Sequence, residues 1–285
     1  MPSVDTSIHP HATGAAATYA AAHSEPQPIT LYCGWFCPFA QRAWMVLHEK
    51  NIPHRYVETN PYKKEAWFMA LNPRGLVPTL VLEDSSSGSA SSSPRSLYES
   101  TVVCEFLDEA FPDERMHGQR LLPANPYERA RCRIWIDHVS KKIVPAFYRF
   151  IQHTPGKPYT IEEARDEFWG QVETFVRAMD AKQGPWFLGG KFSLVDLMLA
   201  PWAKRLFLID HYKQGGLGKP GAGPGSKDGE VWARWKIWHE AVTERQSVVA
   251  TWSDDDRYIE VYKRYADDTT QSLVGQATRT GKHLP

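Results

Sequence analysis

One short stretch constrains this chain more than any other. Residues 33–42 read Cys-Gly-Trp-Phe-Cys-Pro-Phe-Ala-Gln-Arg, and they sit where an apolar strand gives way to a helix. Ile29 to Cys33 has the β-branched and aromatic character of a short strand. From Pro38 to Lys50 apolar residues recur at helical spacing, with proline at the first turn, where its missing N–H costs nothing. Cys37 therefore falls at a helix N-terminus. Unpaired N–H groups and the helix dipole favour a negative charge there, and such a setting draws a thiol pKa from ~8.5 towards ~3.5–7.5. The residues point to nucleophilic thiol chemistry carried by a βα junction.

The rest of the chain organises around that junction. His54–Thr59 reads as a second strand, Lys63–Leu71 as a short helix, and Val77–Leu82 as an apolar strand entered through Pro78. Ser96–Tyr98 is a brief strand and Glu99-Ser100 opens a helix to about Ala110. Asp84–Arg95, dominated by Ser and Gly, reads as a solvated loop. Prolines at 112, 123 and 126 mark residues 111–126 as a linker. Beyond it the spacing predicts only helices, over 127–150, 161–181, 194–211, 231–245 and 256–271. A Gly/Pro-rich loop at 215–229 follows no strand, which argues against a nucleotide role. The expected domains are a flexible extension at 1–28, an α/β domain at 29–110, the linker at 111–126 and an all-helical domain at 127–285.

Composition narrows the function. Lys plus Arg and Asp plus Glu both number 33, so no global field recruits nucleic acid or an anionic membrane. Four cysteines in 285 residues are too few for a disulfide framework, and no secretory signal precedes them, so a reducing, cytoplasmic setting is expected. No apolar run reaches the ~18 residues of a transmembrane helix, and stable membrane insertion is not expected. His9 and His11 lie in the tail and are not expected to hold a metal.

Three motifs in order carry a resemblance. Cys37-Pro-Phe-Ala-Gln-Arg42, Asn72-Pro-Arg-Gly-Leu-Val-Pro78 and Tyr98-Glu-Ser100 resemble the omega class of cytosolic glutathione transferases. Leu107-Asp-Glu-Ala-Phe-Pro112 and Leu121-Leu-Pro-Ala-Asn-Pro-Tyr127 extend the likeness, in pieces, over about residues 29–265. The resemblance implies a thioredoxin-like α/β half followed by an all-α half. It implies glutathione as co-substrate, a small electrophilic or disulfide acceptor, no metal and a homodimer. Cys37 becomes the catalytic nucleophile, with Phe39 beside it. A cis bond at Val77-Pro78 would present the Val77 backbone to the cysteinyl part of glutathione. Glu99 would pair with the γ-glutamyl ammonium, Ser100 would receive its carboxylate at a helix N-terminus, and Lys64 would meet the glycyl end. Trp238, with Tyr127, Arg131 and Trp202, would line the acceptor pocket.

The implied activities are reduction of glutathionyl mixed disulfides and of dehydroascorbate. Residue 40 is alanine where a dithiol helix would carry its resolving cysteine, so a one-cysteine mechanism follows. Cys33 reads as strand-end packing, Cys104 and Cys132 as helix-core thiols, and Arg42 as an anchor of its helix. Two other readings stay in view. One is a glutathione-fold protein that binds apolar ligands without turning them over. The other is a chloride intracellular channel-like protein, which shares a CPFSQR-like start, although Arg42 interrupts the stretch that would insert and Glu99-Ser100 favours glutathione.

Overall fold

The computed structural model describes residues 8–83, 95–180, 184–221 and 227–285. They form two compact units, one containing the chain up to Leu121 together with Gln246–Tyr258, the other Leu122–Arg245 with Ile259–Pro285.

The first unit is built on four strands: β1 (Ile29–Cys33), β2 (Arg55–Glu58), β3 (Thr79–Leu82) and β4 (Arg95–Tyr98). Their order is β2-β1-β3-β4, with β1 parallel to β2 and antiparallel to β3, and β4 antiparallel to β3. The parallel step needs a crossover, supplied by α2 (Pro38–Glu49), which buries Ala40, Ala43, Trp44, Met45, Val46 and Leu47. Helix α3 (Ala66–Leu71) lies between β2 and β3, and α4 (Ser100–Ala110) follows β4 and packs on α2. This is the expected thioredoxin-like order. The Ser-rich stretch lies, from 84 to 94, outside the described residues.

Three parts of this unit depart from the sequence reading. The expected flexible extension carries a helix, α1 (Gly14–Ala22), with Ile8, Ala12 and Ala16 buried. Backbone and side-chain bonds dock it: Ala16 N–H donates to Trp252 O (3.1 Å), Thr13 N–H to Ser253 Oγ (3.1 Å), and Asp254 N–H to Thr13 Oγ1 (3.1 Å). The second departure is the partner in those bonds. Residues 246–258, expected in the helical half, belong to the first unit, where α12 (Gln246–Ala250) packs on α2. Gln41 on α2 donates to Thr251 Oγ1 (3.1 Å), and Ser247 donates to Glu49 Oε1. Thirdly, the linker holds a short helix, α5 (Glu114–His117), and buries Leu121 and Leu122.

The docked N-terminal helix brings a pH-sensitive contact. His54, 1% exposed, packs its ring on His23 (centroids 4.3 Å apart), which stacks in turn on Tyr19 (4.1 Å). Its Nδ1 meets Ile52 O at 2.7 Å, while Nε2 is buried with no hydrogen-bond partner among the described residues. Burial pulls the imidazole down to about 4. A base whose folded pKa is depressed stabilises the fold fully above its unfolded value, ~6.5, and that stability is lost as pH falls towards the folded value. Urea unfolding at pH 7 and pH 5 should therefore show a loss of about 2 kcal/mol from this residue. In His54→Leu the difference between the two pH values should shrink by that amount.

The second unit is helical: α6 (Pro126–His138), α7 (Val144–Ile151), α8 (Ile161–Arg177), α9 (Leu194–Ala203), α10 (Phe207–Tyr212), α11 (Lys227–Thr243), the C-terminal part of α13 (Asp255–Ala266) and α14 (Leu273–Thr280). The single helix expected over 127–150 is broken by a π-turn at Val139–Ile143. Pro145 follows it, and a proline has no N–H for the carbonyl four residues back and clashes with it, so the ladder shifts register. Ser193 and Asp196 form the expected capping box at the start of α9. The start of the Gly-rich loop is pinned rather than open: Arg165 donates to Gln214 O (3.0 Å) and Trp169 Nε1 to Leu217 O (2.8 Å).

Candidate active site

Cys37 is the N-cap of α2, in extended backbone (φ −82°, ψ 116°), with Pro38 as the first helical residue. Its N–H closes a turn on Gly34 O at 2.9 Å. Of the four cysteines it alone is not buried, and none is in a disulfide. Burial pushes the Cys33 and Cys104 thiols well up and that of Cys132 to about 11. Those three are therefore protonated at neutral pH, when they are poor nucleophiles.

The Cys37 Sγ faces the Val77 carbonyl at 3.8 Å. The Val77-Pro78 bond is cis, as the motif implied. The turn that presents it is braced by Asn72, whose Nδ2 donates to Leu76 O (2.9 Å) and Thr79 Oγ1 (3.0 Å). Gly75 in this turn has φ +60°, and a Cβ there would meet Met69 Sδ and Lys64 Nζ inside 3 Å, so glycine is favoured.

Lys64, itself at φ +49°, donates from Nζ to Gly75 O (2.6 Å) and Arg74 O (3.2 Å). Partial burial holds its ammonium below the usual lysine range. This lysine thus braces the turn leading to Val77.

Glu99 follows β4 as the N-cap of α4, at φ +72°, and its carboxylate pairs with the Arg74 guanidinium. Arg74 is the residue that reading the motifs missed. Its signal was present, a cation inside Asn72-Pro-Arg-Gly75, but the pairing crosses 25 positions and only the fold reveals it. Ser100 opens α4, and its Oγ accepts from Arg42 Nη1 at 3.2 Å. Arg42 is buried, and its guanidinium lies 5.4 Å from the centre of the Phe39 ring. It therefore ties α2 to the start of α4, the anchoring role expected of it.

These contacts bring seven of the expected residues into one region of the first unit. Cys37 meets Val77 beside Pro78, Phe39 and Ser100 share Arg42, and Lys64 and Glu99 both meet Arg74. Chemically the arrangement offers a thiol at a positive helix end, a backbone edge opposite it, and a carboxylate beside a second helix N-terminus.

The four acceptor-side residues lie in the second unit. Trp238 is fully buried, its Nε1 donating to Asp196 Oδ1 at 2.8 Å and its ring stacked on Trp235. Trp202 is fully buried on α9. Tyr127 stands 75% exposed at the first turn of α6. Arg131 pairs with Asp180 (3.0 Å) and donates to Ala178 O (2.8 Å). No group of three His, Cys, Asp or Glu that could hold a metal ion occurs among the described residues, nor any helix long and apolar enough to cross a membrane.

Comparison with known proteins agrees with this geometry. Residues 36–110 match the family model of the glutathione S-transferase N-terminal domain, and residues 162–241 that of the C-terminal domain. The chain is 37% identical over 184 residues to glutathione S-transferase omega-1 of Sus scrofa, covering 64% of this chain and 68% of the relative. The crystal structure of glutathione transferase Omega 3C from Trametes versicolor superposes with a TM-score of 0.71 at 38% identity, covering 87% of this chain and 99% of that one. Omega 2S of the same organism, in complex with 2,4-dihydroxybenzophenone, does so at 0.59 and 27%, covering 82% and 96%.

Proposed function

The chain belongs to the omega class of the glutathione transferase family, and from that membership we propose that it is a glutathione-dependent thiol transferase and reductase with Cys37 as its one nucleophile. The observation that carries the reading is that Cys37, at the α2 N-cap and opposite the Val77 carbonyl, is the one cysteine not buried.

The Cys37 thiolate attacks the glutathionyl sulfur of a mixed disulfide. A Cys37–glutathione S–S bond forms, the substrate S–S bond breaks, and the departing thiolate takes a proton from solvent. A second glutathione thiolate then attacks the glutathionyl sulfur, releasing oxidised glutathione and restoring Cys37. With dehydroascorbate the acceptor takes the two electrons and two protons that two glutathione thiols give up on becoming a disulfide. Val77 pairs strand-like with the cysteinyl unit, Glu99 with the γ-glutamyl ammonium, and Ser100 with its carboxylate at the α4 N-terminus. Phe39 and Lys64 shape the site. Acceptor contacts fall to the second unit, with Tyr127 and Arg131 at its surface and Trp238 and Trp202 supporting from its interior.

Glutathione-dependent reduction of a small glutathionyl disulfide and of dehydroascorbate tests the reading. Both should proceed, and conjugation of an aromatic halide should be weak, since a thiol at this position forms a disulfide with glutathione instead of activating its sulfur. Absence of both reductions would overturn it. For Glu99→Gln, the loss of one charge-assisted bond should raise the glutathione KM about tenfold with kcat little changed. Steady-state kinetics with glutathione varied checks this.

A ligand-binding role is the second reading, supported by the benzophenone held by the Trametes Omega 2S neighbour. Binding of such a phenol without any turnover would favour it. A cytoplasmic homodimer is also proposed. Val102 on α4, 52% exposed, and Ile134 on α6 are apolar side chains that a partner copy would cover. Light scattering at the mass of a single chain would exclude the dimer.

A further inference from the structure

We propose that Glu58 and Trp35 are positioning residues for Cys37, and that the docked N-terminal arm, residues 8–13, is through them a working part of the thiol site. The proposal rests on the reading of Cys37 as nucleophile, and it concerns what holds that thiol in place.

Trp35 lies two residues before Cys37 and is 1% exposed. Each of its polar groups is engaged by a different segment. Its backbone N–H donates to Glu58 Oε1 at 2.9 Å, its Nε1–H to His9 O at 2.9 Å, and its carbonyl accepts from Tyr258 Oη at 3.4 Å. Its indole also stands edge-on to Tyr258 (5.3 Å) and Phe36 (5.7 Å). The loop from Gly34 to Cys37 is thus gripped from the sheet, the arm and the 246–258 segment at once.

Glu58 joins these grips. It ends β2 in register with Cys33, the residue that begins the turn into the loop. Its two oxygens receive three donors: Trp35 N–H, Tyr56 Oη–H (2.9 Å) and Ala12 N–H of the arm (3.2 Å). One carboxylate therefore fastens the arm and the thiol loop to the same strand end. A backbone N–H bound to an ionised carboxylate makes a stronger bond than one bound to a neutral acid. A proton on Glu58 would enter a site where every neighbour donates, so one contact must turn away or break. Burial nonetheless raises the Glu58 carboxyl to about 7, inside the working range of a thiol enzyme. The titratable groups that interact with it are Tyr56 on its own strand and Cys33 on β1, both kept neutral by burial; the arm reaches it through the Ala12 N–H, and the 246–258 segment reaches Trp35 through Tyr258.

The experiment follows alkylation of Cys37 by iodoacetamide, read at that residue by mass spectrometry, in the full-length wild type, Glu58→Gln and Trp35→Phe. Rates are taken from about pH 5 to pH 9, with an unfolding curve for each protein. The wild-type profile should bend near the Glu58 ionisation as well as at the thiol's own. Glu58→Gln should lose that bend. Trp35→Phe, which keeps the carboxylate but loses the bond to His9 O and part of the indole's packing, should keep the bend and alkylate about three- to tenfold more slowly at its plateau. In turnover both should lower kcat and leave the glutathione KM unchanged, because Val77, Glu99 and Ser100 lie on other segments. Folded variants whose profiles superpose on the wild type would overturn the proposal. Should Glu58→Gln fail to fold, Trp35→Phe decides alone. A wild-type Cys37 no more reactive than free glutathione would defeat the functional reading instead, and the comparison between variants would still judge this one.

Discussion

Cys37→Ser is expected to lower kcat/KM for a glutathionyl mixed disulfide by about 10³-fold or more, because the bond-forming atom itself is removed. A hydroxyl cannot form the covalent intermediate, and no other cysteine can take its place. Cys33, four positions away, is fully buried with its thiol pushed well up, and residue 40 is alanine. Stability should hardly change. The side chain is half-buried at an N-cap, where serine is among the best residues, so the helix keeps a good start. The same substitution should raise aromatic-halide conjugation, since a hydroxyl at this point can hydrogen-bond the sulfur of bound glutathione. Parallel assays of the two reactions on wild type and variant check the result. A variant that retained disulfide reduction would remove Cys37 from the mechanism.

The second large effect concerns the frame. Lys50, the C-cap of α2, and Asp108, near the end of α4, form an ion pair at 3.0 Å with both side chains fully buried. Asp108 Oδ1 also accepts the Leu121 N–H at 2.8 Å, which fixes the chain as it leaves this unit. Asp108→Ala should cost about 3–5 kcal/mol, because it leaves a buried ammonium and a buried N–H without a partner. That is a large share of an ordinary domain's stability of about 5–15 kcal/mol. Asp108→Asn, which can still accept from the Leu121 N–H, should lose less. Urea unfolding of the three proteins measures the order. Equal midpoints for wild type and Asp108→Ala would show that the pair contributes nothing.

The parts of the site legible in the sequence are those that local backbone rules create. A cysteine followed by proline at a strand end can only cap the helix that proline starts. Asn72-Pro-Arg-Gly75 specifies a turn through its proline and its left-handed glycine, and Glu99-Ser100 opens a helix. Each of these stands where the motifs placed it. What stayed hidden is what depends on distant partners. The arm reads as flexible in sequence because its Ala-rich stretch shows no apolar stripe. Its docking uses backbone groups and small hydroxyls on residues 252–254, more than 200 positions away, and periodicity carries no trace of that. Residues 246–258 follow helices of the other unit, so sequence order assigned them there, yet Gln41 and Glu49 bind them to α2. The role of Glu58 was invisible for the same reason, as a strand-end glutamate is ordinarily a solvated charge. Trp238 shows the limit of a stripe: Trp232, Trp235 and Trp238 recur at helical spacing, and the last is fully interior, bonded to the capping-box Asp196.

The claim at the centre is that one thiol carries glutathione through a covalent disulfide. The direct test is intact-mass spectrometry of the reduced protein after brief exposure to a glutathionyl mixed disulfide, followed by peptide mapping. A gain of one glutathionyl group, located on Cys37 and discharged by added glutathione, is the predicted result. An adduct on Cys33, Cys104 or Cys132, or turnover with no adduct forming on Cys37, would contradict it.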